Sequence, residues 1–383
     1  MIKKSLNILI INFDWRNIFE TGFDEFYKKM ERDCLNPDFN NFFFYSWAKV
    51  SYYKKKDQYV SVHQKVYGKF FKPFVDLLSI WLVPRAIKKY GFKPDIVFVY
   101  DLGHIQTALV IKRLYGSKIV YCCTNMPKEY SATRRWGYFK SLYSSWLEKF
   151  FLKKIDLAYT INDTMKNFLF GLGLPAEKIV IFASNTIFRD KKHIDASERG
   201  RIKNKLGLKP DQKIILSIGR LETEKDHPRL LQLFSQLSND YCLIILGQGS
   251  LLSELQKLTR ELDIANRVFF EGFVHREKIW DYYNDADVFV LLSKVEALGL
   301  VFWEAMYMGV PVIGSVAPGI VETIGTDGER GFILKDDEGI DLFKEKIDFC
   351  VGVSEEKKSM LERSRKYVDL QISNNVNINK LIV

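Results

Sequence analysis

Cysteine is sparse and unpaired in this sequence. Its 383 residues hold five, Cys34, Cys122, Cys123, Cys242 and Cys350. An odd number without metal-ligand spacing argues against a disulfide framework and against a zinc site. Several of them stand in apolar runs, which predicts reduced, buried thiols of a cytosolic protein. No cluster of His, Asp and Glu has metal-ligand spacing either, so no resident metal or other cofactor is expected. A long hydrophobic run is also lacking. The most membrane-like stretch, residues 74–83, is interrupted by Asp76 and bounded by Pro73 and Pro84, too short to span a bilayer. At the N-terminus Met1-Ile2-Lys3-Lys4 leads into a short apolar run ending at Asp14, which does not fit a signal peptide. The basic charge comes without a recognised nucleic-acid motif, which argues against that partner.

What is present describes a folded chain large enough for two domains with full cores, 47% hydrophobic and 27% charged. The net charge of +10 is uneven: from Lys49 to Asp95 there are eleven Lys or Arg, the last being Lys93, against three Asp. Tyr52, Tyr53, Tyr59, Tyr67, Phe70, Phe71, Phe74 and Trp81 are interleaved with them. Two readings stand. Cations among large aromatics suit an anionic bilayer surface, and a solvated basic face beside an ordinary core would look the same.

Short apolar runs alternate with helical patterns along the whole chain, the signature of parallel βαβ units. In the first half, strands are expected at residues 7–12, 41–46, 96–100, 118–123, 157–161 and 180–182. A glycine-bearing loop with Thr21-Gly22 follows the first. A helix over 105–114 starts after His104, which is expected to cap it or lie on the surface. Helices are also expected over 142–154 and 163–172. A polar stretch over 189–205 reads as a linker and a first helix. The pattern then restarts, with strands at 213–218, 243–246, 268–274, 288–293 and 310–313 and helices at 228–237 and 300–308.

The chemistry gathers in this second half. Gly219-Arg220-Leu221-Glu222-Thr223-Glu224-Lys225 follows one strand, and Gly247-Gln248-Gly249 another. Glu271-Gly272-Phe273-Val274 closes a third. Glu296 and Glu304 flank a strand-to-helix turn, Ala297-Leu298-Gly299-Leu300. Amides at such a helix start hold an anion favourably. An Arg offering a fork of donors and a Lys acting as a compact charge would stabilise a diphosphate leaving group.

This ordered set resembles that of retaining GT-B glycosyltransferases, specifically the glycosyltransferase family 4 (group 1) type. The motifs carry the resemblance from Gly219 to Glu304, and the first half follows it by pattern. It implies two Rossmann-like, doubly wound parallel-sheet α/β domains facing across a cleft: an acceptor domain over residues 1–185, a nucleotide-sugar domain over 186–365, and a tail over 366–383 packing back on the first. It implies transfer of a hexosyl group from a UDP- or GDP-linked sugar to a hydroxyl, with retention and without a metal. Arg220 and Lys225 would stabilise the diphosphate, Glu296 would hold the transferred sugar and Glu304 the ribose. Gly22, Gly219, Gly249, Val274, Ala297, Leu298, Gly299 and Leu300 would complete the donor site. The chain is expected to be cytoplasmic; if the basic stretch meets a membrane, it is peripheral on the inner face and the acceptor is a lipid-linked glycan, as in cell-surface polysaccharide assembly. Two departures are visible: Thr21-Gly22 replaces a pair of glycines, and Thr124 stands where relatives carry a histidine. An inverting route would need a base such as Asp14, Asp24 or Glu25. A sugar-nucleotide epimerase of the same fold and a non-catalytic, membrane-surface nucleotide-sugar-binding protein remain as alternatives.

Overall fold

Runs such as Ile8-Leu9-Ile10-Ile11 and Ile214-Ile215-Leu216 lack polar alternation, as strands do when helices cover both faces of a parallel sheet. Both runs are buried strand centres. The computed structural model describes residues 6–12, 39–48, 52–56, 59–65, 72–100, 104–123, 150–181 and 199–373. The chain divides into two compact units between Phe182 and Ala183. Thr21, Gly22, Thr124, Asp14, Asp24, Glu25 and Cys34 lie outside the described residues, as do residues 142–149 and 374–383.

The first unit is built from β1 (Leu6–Asn12), β2 (Phe39–Ala48), β3 (Tyr52–Lys56), β4 (Tyr59–Lys65), α1 (Lys72–Lys89), β5 (Ile96–Val99), α2 (Ile105–Tyr115), β6 (Lys118–Cys123), β7 (Leu157–Thr160), α3 (Asp163–Gly171) and β8 (Ile179–Ile181). Its sheet runs β3-β4-β2-β1-β5-β6-β7-β8. Every pairing is parallel except β3 with β4. Part of the basic aromatic stretch is therefore a pair of strands at the sheet margin. Lys54, Lys55 and Lys56 fall on the edge strand β3, where lysines discourage pairing with another chain.

Residues 74–83 belong to α1, with Pro84 inside the same helix. No described helix is long and apolar enough to cross a membrane. His104 corrects its expected role. It is fully buried, provides no side-chain cap to α2, and its Nδ1 lies 3.2 Å from Ser79 Oγ. Ser79 in turn meets Thr107 at 2.5 Å, so the histidine joins a buried polar cluster between α1 and α2. Cys122, Cys123, Cys242 and Cys350 are buried. Burial raises the thiols of Cys242 and Cys350 to about 12, keeping both protonated at neutral pH.

The second unit comprises α4 (Arg201–Leu206), β9 (Lys213–Ile218), α5 (His227–Phe234), β10 (Tyr241–Leu246), α6 (Leu252–Glu261), β11 (Val268–Gly272), α7 (Arg276–Asp285), β12 (Val288–Leu291), α8 (Leu300–Tyr307), β13 (Val312–Gly314), α9 (Pro318–Ile324), β14 (Phe332–Ile333), α10 (Ile340–Val351) and α11 (Glu355–Ser373). Its six strands run β11-β10-β9-β12-β13-β14, all parallel. Strand order reverses between β9 and β12. In open α/β sheets the crevice beyond the carboxyl ends at such a reversal is where ligands bind. Two expectations shift. β11 stops at Gly272, whose φ of 66° turns the chain before Val274. α11 continues to Ser373, through residues 366–373 assigned above to a tail.

Candidate functional site

The loop after β9 is shaped by glycines that let two backbones touch. Gly219 N–H donates to Leu246 O at 3.0 Å, and Leu221 N–H to Gln248 O at 2.9 Å. A Cβ on Gly247 would lie 1.9 Å from Gly219 O, and one on Gly249 2.2 Å from Leu221 O. Any side chain at either position would push the Arg220 loop away from β10. The Gly-x-Gly pair thus serves by position, pressing residues 219–221 into place. Glu222 fastens the other end, accepting from Ser250 N–H at 3.0 Å and from Ser250 Oγ at 2.8 Å.

Glu224 is buried, and its carboxylate accepts a hydrogen bond from the Arg220 guanidinium. Its backbone oxygen accepts from Lys294 N–H at 2.9 Å, coupling the β9 loop to the β12 loop. Asp226 then turns the chain into α5 through a left-handed conformation (φ 49°) that non-glycine residues seldom adopt. Lys294 pairs with its carboxylate at 3.3 Å.

These turns deliver Lys225 to the reversal point from the β9 side, and the loop after β12 brings Glu296. Lys225 Nζ lies 2.5 Å from Glu296 Oε2, with the two side chains 15% and 16% exposed. Glu296 O accepts from Gly319 N–H at 3.1 Å. A Cβ on Gly319 would come within 2.5 Å of Ala297 C and O, so α9 approaches this loop only because that residue is glycine. Gly299, at φ 68°, is the N-cap of α8. The leading amides of α8 point out of the helix start beside Glu296, the arrangement that favours an anion.

Glu304 sits inside α8 and is 4% exposed. Its Oε1 accepts from Arg276 at 3.0 Å and its Oε2 from the Tyr283 hydroxyl at 2.9 Å. Burial raises its carboxyl above the usual range, against the opposing pull of Arg276 and Tyr283. Both partners come from α7, whose start follows the half-buried Val274 and the exposed Phe273, stacked edge-on against His275 at 5.2 Å. Arg276 is half-exposed, so its guanidinium reaches from solvent to the buried acid.

The second unit therefore brings Gly219, Arg220, Lys225, Glu296, Ala297, Leu298, Gly299, Leu300 and Glu304 onto the carboxyl ends of β9 and β12 and the adjoining α8, with Gly249 beneath them and Val274 on the β11 loop. Gly22 lies outside the described residues. Among the described residues no group of three or more His, Cys, Asp or Glu is placed to hold a metal ion. Sequence reasoning passed over Glu224, Arg276, Tyr283, Gly319 and His227. For Glu224 a signal existed, the four-residue spacing from Arg220. His227 opens α5 fully buried, with neither ring nitrogen hydrogen-bonded among the described residues. Burial and the neighbouring Lys225 charge lower its pKa to about 4.

Residues 198–367 match the family Glycosyl transferases group 1, and residues 41–183 match Glycosyltransferase Family 4. The N-acetyl-alpha-D-glucosaminyl L-malate synthase of Bacillus anthracis is 26% identical over 81% of this chain and 78% of its own length. The alpha-monoglucosyldiacylglycerol synthase of Streptococcus pneumoniae is 26% identical over 45% of this chain and 40% of its own. An uncharacterized glycosyltransferase of Methanocaldococcus jannaschii is 28% identical over 43% of each chain, so the chain spans under half the length of several curated relatives. Among solved structures, Anabaena HepE in complex with UDP and glucose aligns with a TM-score of 0.71 at 16% identity, over 99% of this chain and 98% of that one. The sucrose-phosphate synthase of Thermosynechococcus elongatus aligns with a TM-score of 0.78 at 15% identity, covering 99% and 98% of the two chains.

Proposed function

Because this chain belongs to the GT-B glycosyltransferases, with a family 4 first domain and a group 1 second domain, we propose that it transfers a hexosyl group from a UDP- or GDP-linked sugar to a hydroxyl acceptor with retention of configuration. The observation that carries this reading is the Lys225–Glu296 pair at the sheet's reversal point, beside the start of α8.

A diphosphate gathers negative charge as the sugar departs, and fixed donors aimed at that charge lower the barrier. Lys225, now held on Glu296, would turn to the diphosphate, with Arg220 giving a second, forked set of donors. Glu296 would then accept hydroxyls of the transferred sugar. The amides of residues 297–300 would hold the diphosphate, and Gly219 would let it approach the backbone. Glu304, pinned by Arg276 and Tyr283, would accept from the ribose hydroxyls, with the base against the Val274 loop. Arg220 and Lys225 supply positive charge without a metal. Retention fits front-face attack, with a donor phosphate oxygen taking the acceptor proton.

For the acceptor, the reading is a lipid-linked glycan in cell-surface polysaccharide assembly, with the chain on the inner face of the cell membrane. The basic aromatic stretch over residues 49–93 supports it, as does a relative named for a glucosyldiacylglycerol product.

The test is a thermal-shift screen of UDP-, GDP- and ADP-sugars, followed by NMR of the product anomer. One donor should raise the melting temperature, since a ligand that binds only the folded state stabilises it. Conversion of that donor to an isomer with no acceptor added would replace this reading with an epimerase. A melting temperature unmoved by every nucleotide would end it.

A further inference from the structure

The turn over residues 297–300 carries the amides given above to the diphosphate, and α9 sets its peptide planes from behind. Gly319 and Thr323 of α9 stand four residues apart, so they share one face of that helix. From this face Gly319 N–H donates to Glu296 O at 3.1 Å. Thr323 Oγ1 donates to Leu298 O at 3.2 Å. Two carbonyls of the turn are thus drawn to one side. In a trans peptide the N–H lies opposite the C=O of the same plane. With Leu298 O turned to α9, the Gly299 N–H is turned away from it, at the start of α8.

The direction of the Thr323 hydroxyl is forced. Trp303 Nε1 lies 3.0 Å from the same oxygen, and an indole nitrogen can only donate. Leu298 O can only accept, so the single hydroxyl hydrogen points to it. Donation therefore runs one way, from Trp303 to Thr323 to Leu298. Trp303 and Thr323 are each 1% exposed, so a lost partner would leave a buried polar group unmet. The indole is itself held. Its ring meets Tyr367 of α11 edge-on at 6.0 Å, and Tyr367 carries the Arg330 guanidinium on its face at 4.4 Å. A valine at 323 would fill the same space, so packing alone does not call for a hydroxyl.

We propose that Thr323, oriented by Trp303, is a positioning residue that aims the Gly299 N–H at the donor diphosphate. It rests on the reading that this turn holds the diphosphate. Both side chains act through the Leu298–Gly299 peptide rather than on the donor itself. An amide already aimed needs no reorientation as charge gathers on the leaving group, which is what gives a fixed donor its value. A peptide free to rotate would instead present its carbonyl oxygen to the same charge for part of the time.

The test compares UDP and GDP with uridine and guanosine on the full chain, by isothermal titration and ligand-observed NMR. Thr323→Val keeps the shape and removes the hydroxyl. Affinity for the preferred diphosphate should fall about tenfold, the worth of one hydrogen bond to a charged group. Affinity for the matching nucleoside should hold. Thr323→Ser restores the hydroxyl and should return diphosphate affinity to near the wild-type value. Trp303→Phe keeps a ring against Tyr367 and frees the hydroxyl to rotate, so it should cost about threefold, again for the diphosphate alone. That variant decides the matter if Thr323→Val does not fold. Equal losses for diphosphate and nucleoside would make the pair a structural clasp and overturn the proposal. So would no loss in either variant, or no rescue by serine. A wild-type chain that binds neither diphosphate would instead remove the diphosphate reading of the turn, and this inference with it.

Discussion

Glu296 and Glu304 stand eight residues apart, and each faces a cation, but the two pairs are made differently. Lys225 and Glu296 both come from loops, one after β9 and one after β12, and the pair is a single contact of 2.5 Å. Glu304 comes from within a helix and is gripped twice, by Arg276 and Tyr283 of α7. The first pair can come apart by side-chain rotation alone, with each member free to take a new partner. The second is set in packed structure, where losing one partner leaves a buried polar group unmet. Loop pairs suit groups that must switch between each other and a ligand, and helix-held acids suit groups that must stay still. The comparison therefore predicts kinetic effects at the first pair and structural or affinity effects at the second.

The largest effect should come from Lys225→Ala. Turnover should fall by about 10²–10³, the usual cost of removing one preorganised donor. Stability should fall by about 1–2 kcal/mol, because Glu296 loses its cation while still mostly buried, though on a loop it can turn toward water. Near-normal turnover would remove Lys225 from the mechanism. A large fall in melting temperature would erase the distinction between the pairs. Glu304→Ala should show the reverse, with stability falling by about 3 kcal/mol because Tyr283 and Arg276 lose their acceptor. Chemical denaturation checks it, and a loss below about 1 kcal/mol would mean the helix-held pair is no more structural than the other.

His227 sharpens the loop side of the comparison. Its imidazole is buried, adjoins Lys225 and has a pKa near 4 rather than the ordinary 6.5. Between those values the unfolded chain binds the proton and the folded chain does not, so stability rises with pH across this window and is lost as pH falls through it. His227→Phe removes the group, and the stability difference between pH 7 and pH 5 should shrink by about 2 kcal/mol. At pH 7 the variant should be equal or slightly more stable, because two ring nitrogens without a hydrogen-bond partner among the described residues are replaced by carbon. Unfolding curves at the two pH values decide it; an unchanged acid limb would place the imidazole in contact with water.

Sequence legibility followed the same physics as the pairs. Uninterrupted apolar runs made the strands of both sheets readable, because parallel strands are buried on both faces. The Gly219–Lys225 and Glu296–Glu304 motifs were readable because each abuts such a run. β3 and β4 were not: Tyr52–Lys56 and Tyr59–Lys65 are polar and aromatic, and their charge masked their period. His104 was misjudged because only the packing of α1 against α2 buries it, a contact between residues 25 positions apart. Arg276 and Tyr283 belong to an ordinary-looking helix, and only folding carries them 28 and 21 residues to Glu304. Gly319 needed coordinates as well, since its task is to leave room for Ala297.

The smallest expected effect is the most specific. Arg276 is half-exposed but Glu304 is not, so Arg276→Ala should cost about 1–2 kcal/mol of stability, less than Glu304→Ala because the Tyr283 hydroxyl still meets the carboxyl. Its influence should appear in protonation. Burial already raises the Glu304 carboxyl, and Arg276 is the largest opposing influence. Without that charge the carboxyl should rise further, and the ionised form, which in the proposed role would accept ribose hydroxyls, should give way to acid at a higher pH. The acid limb of donor affinity should therefore move upward in Arg276→Ala, with turnover at saturating donor nearly unchanged. Arg276→Lys, which keeps the charge and loses the fork, should return the limb most of the way. A structural role alone would lower affinity equally at every pH, and isothermal titration of the nucleotide from pH 5 to pH 8 tells the two apart. A limb that stays in place in the alanine variant would mean that Tyr283 alone keeps Glu304 ionised, leaving Arg276 to the exposed side of the pocket.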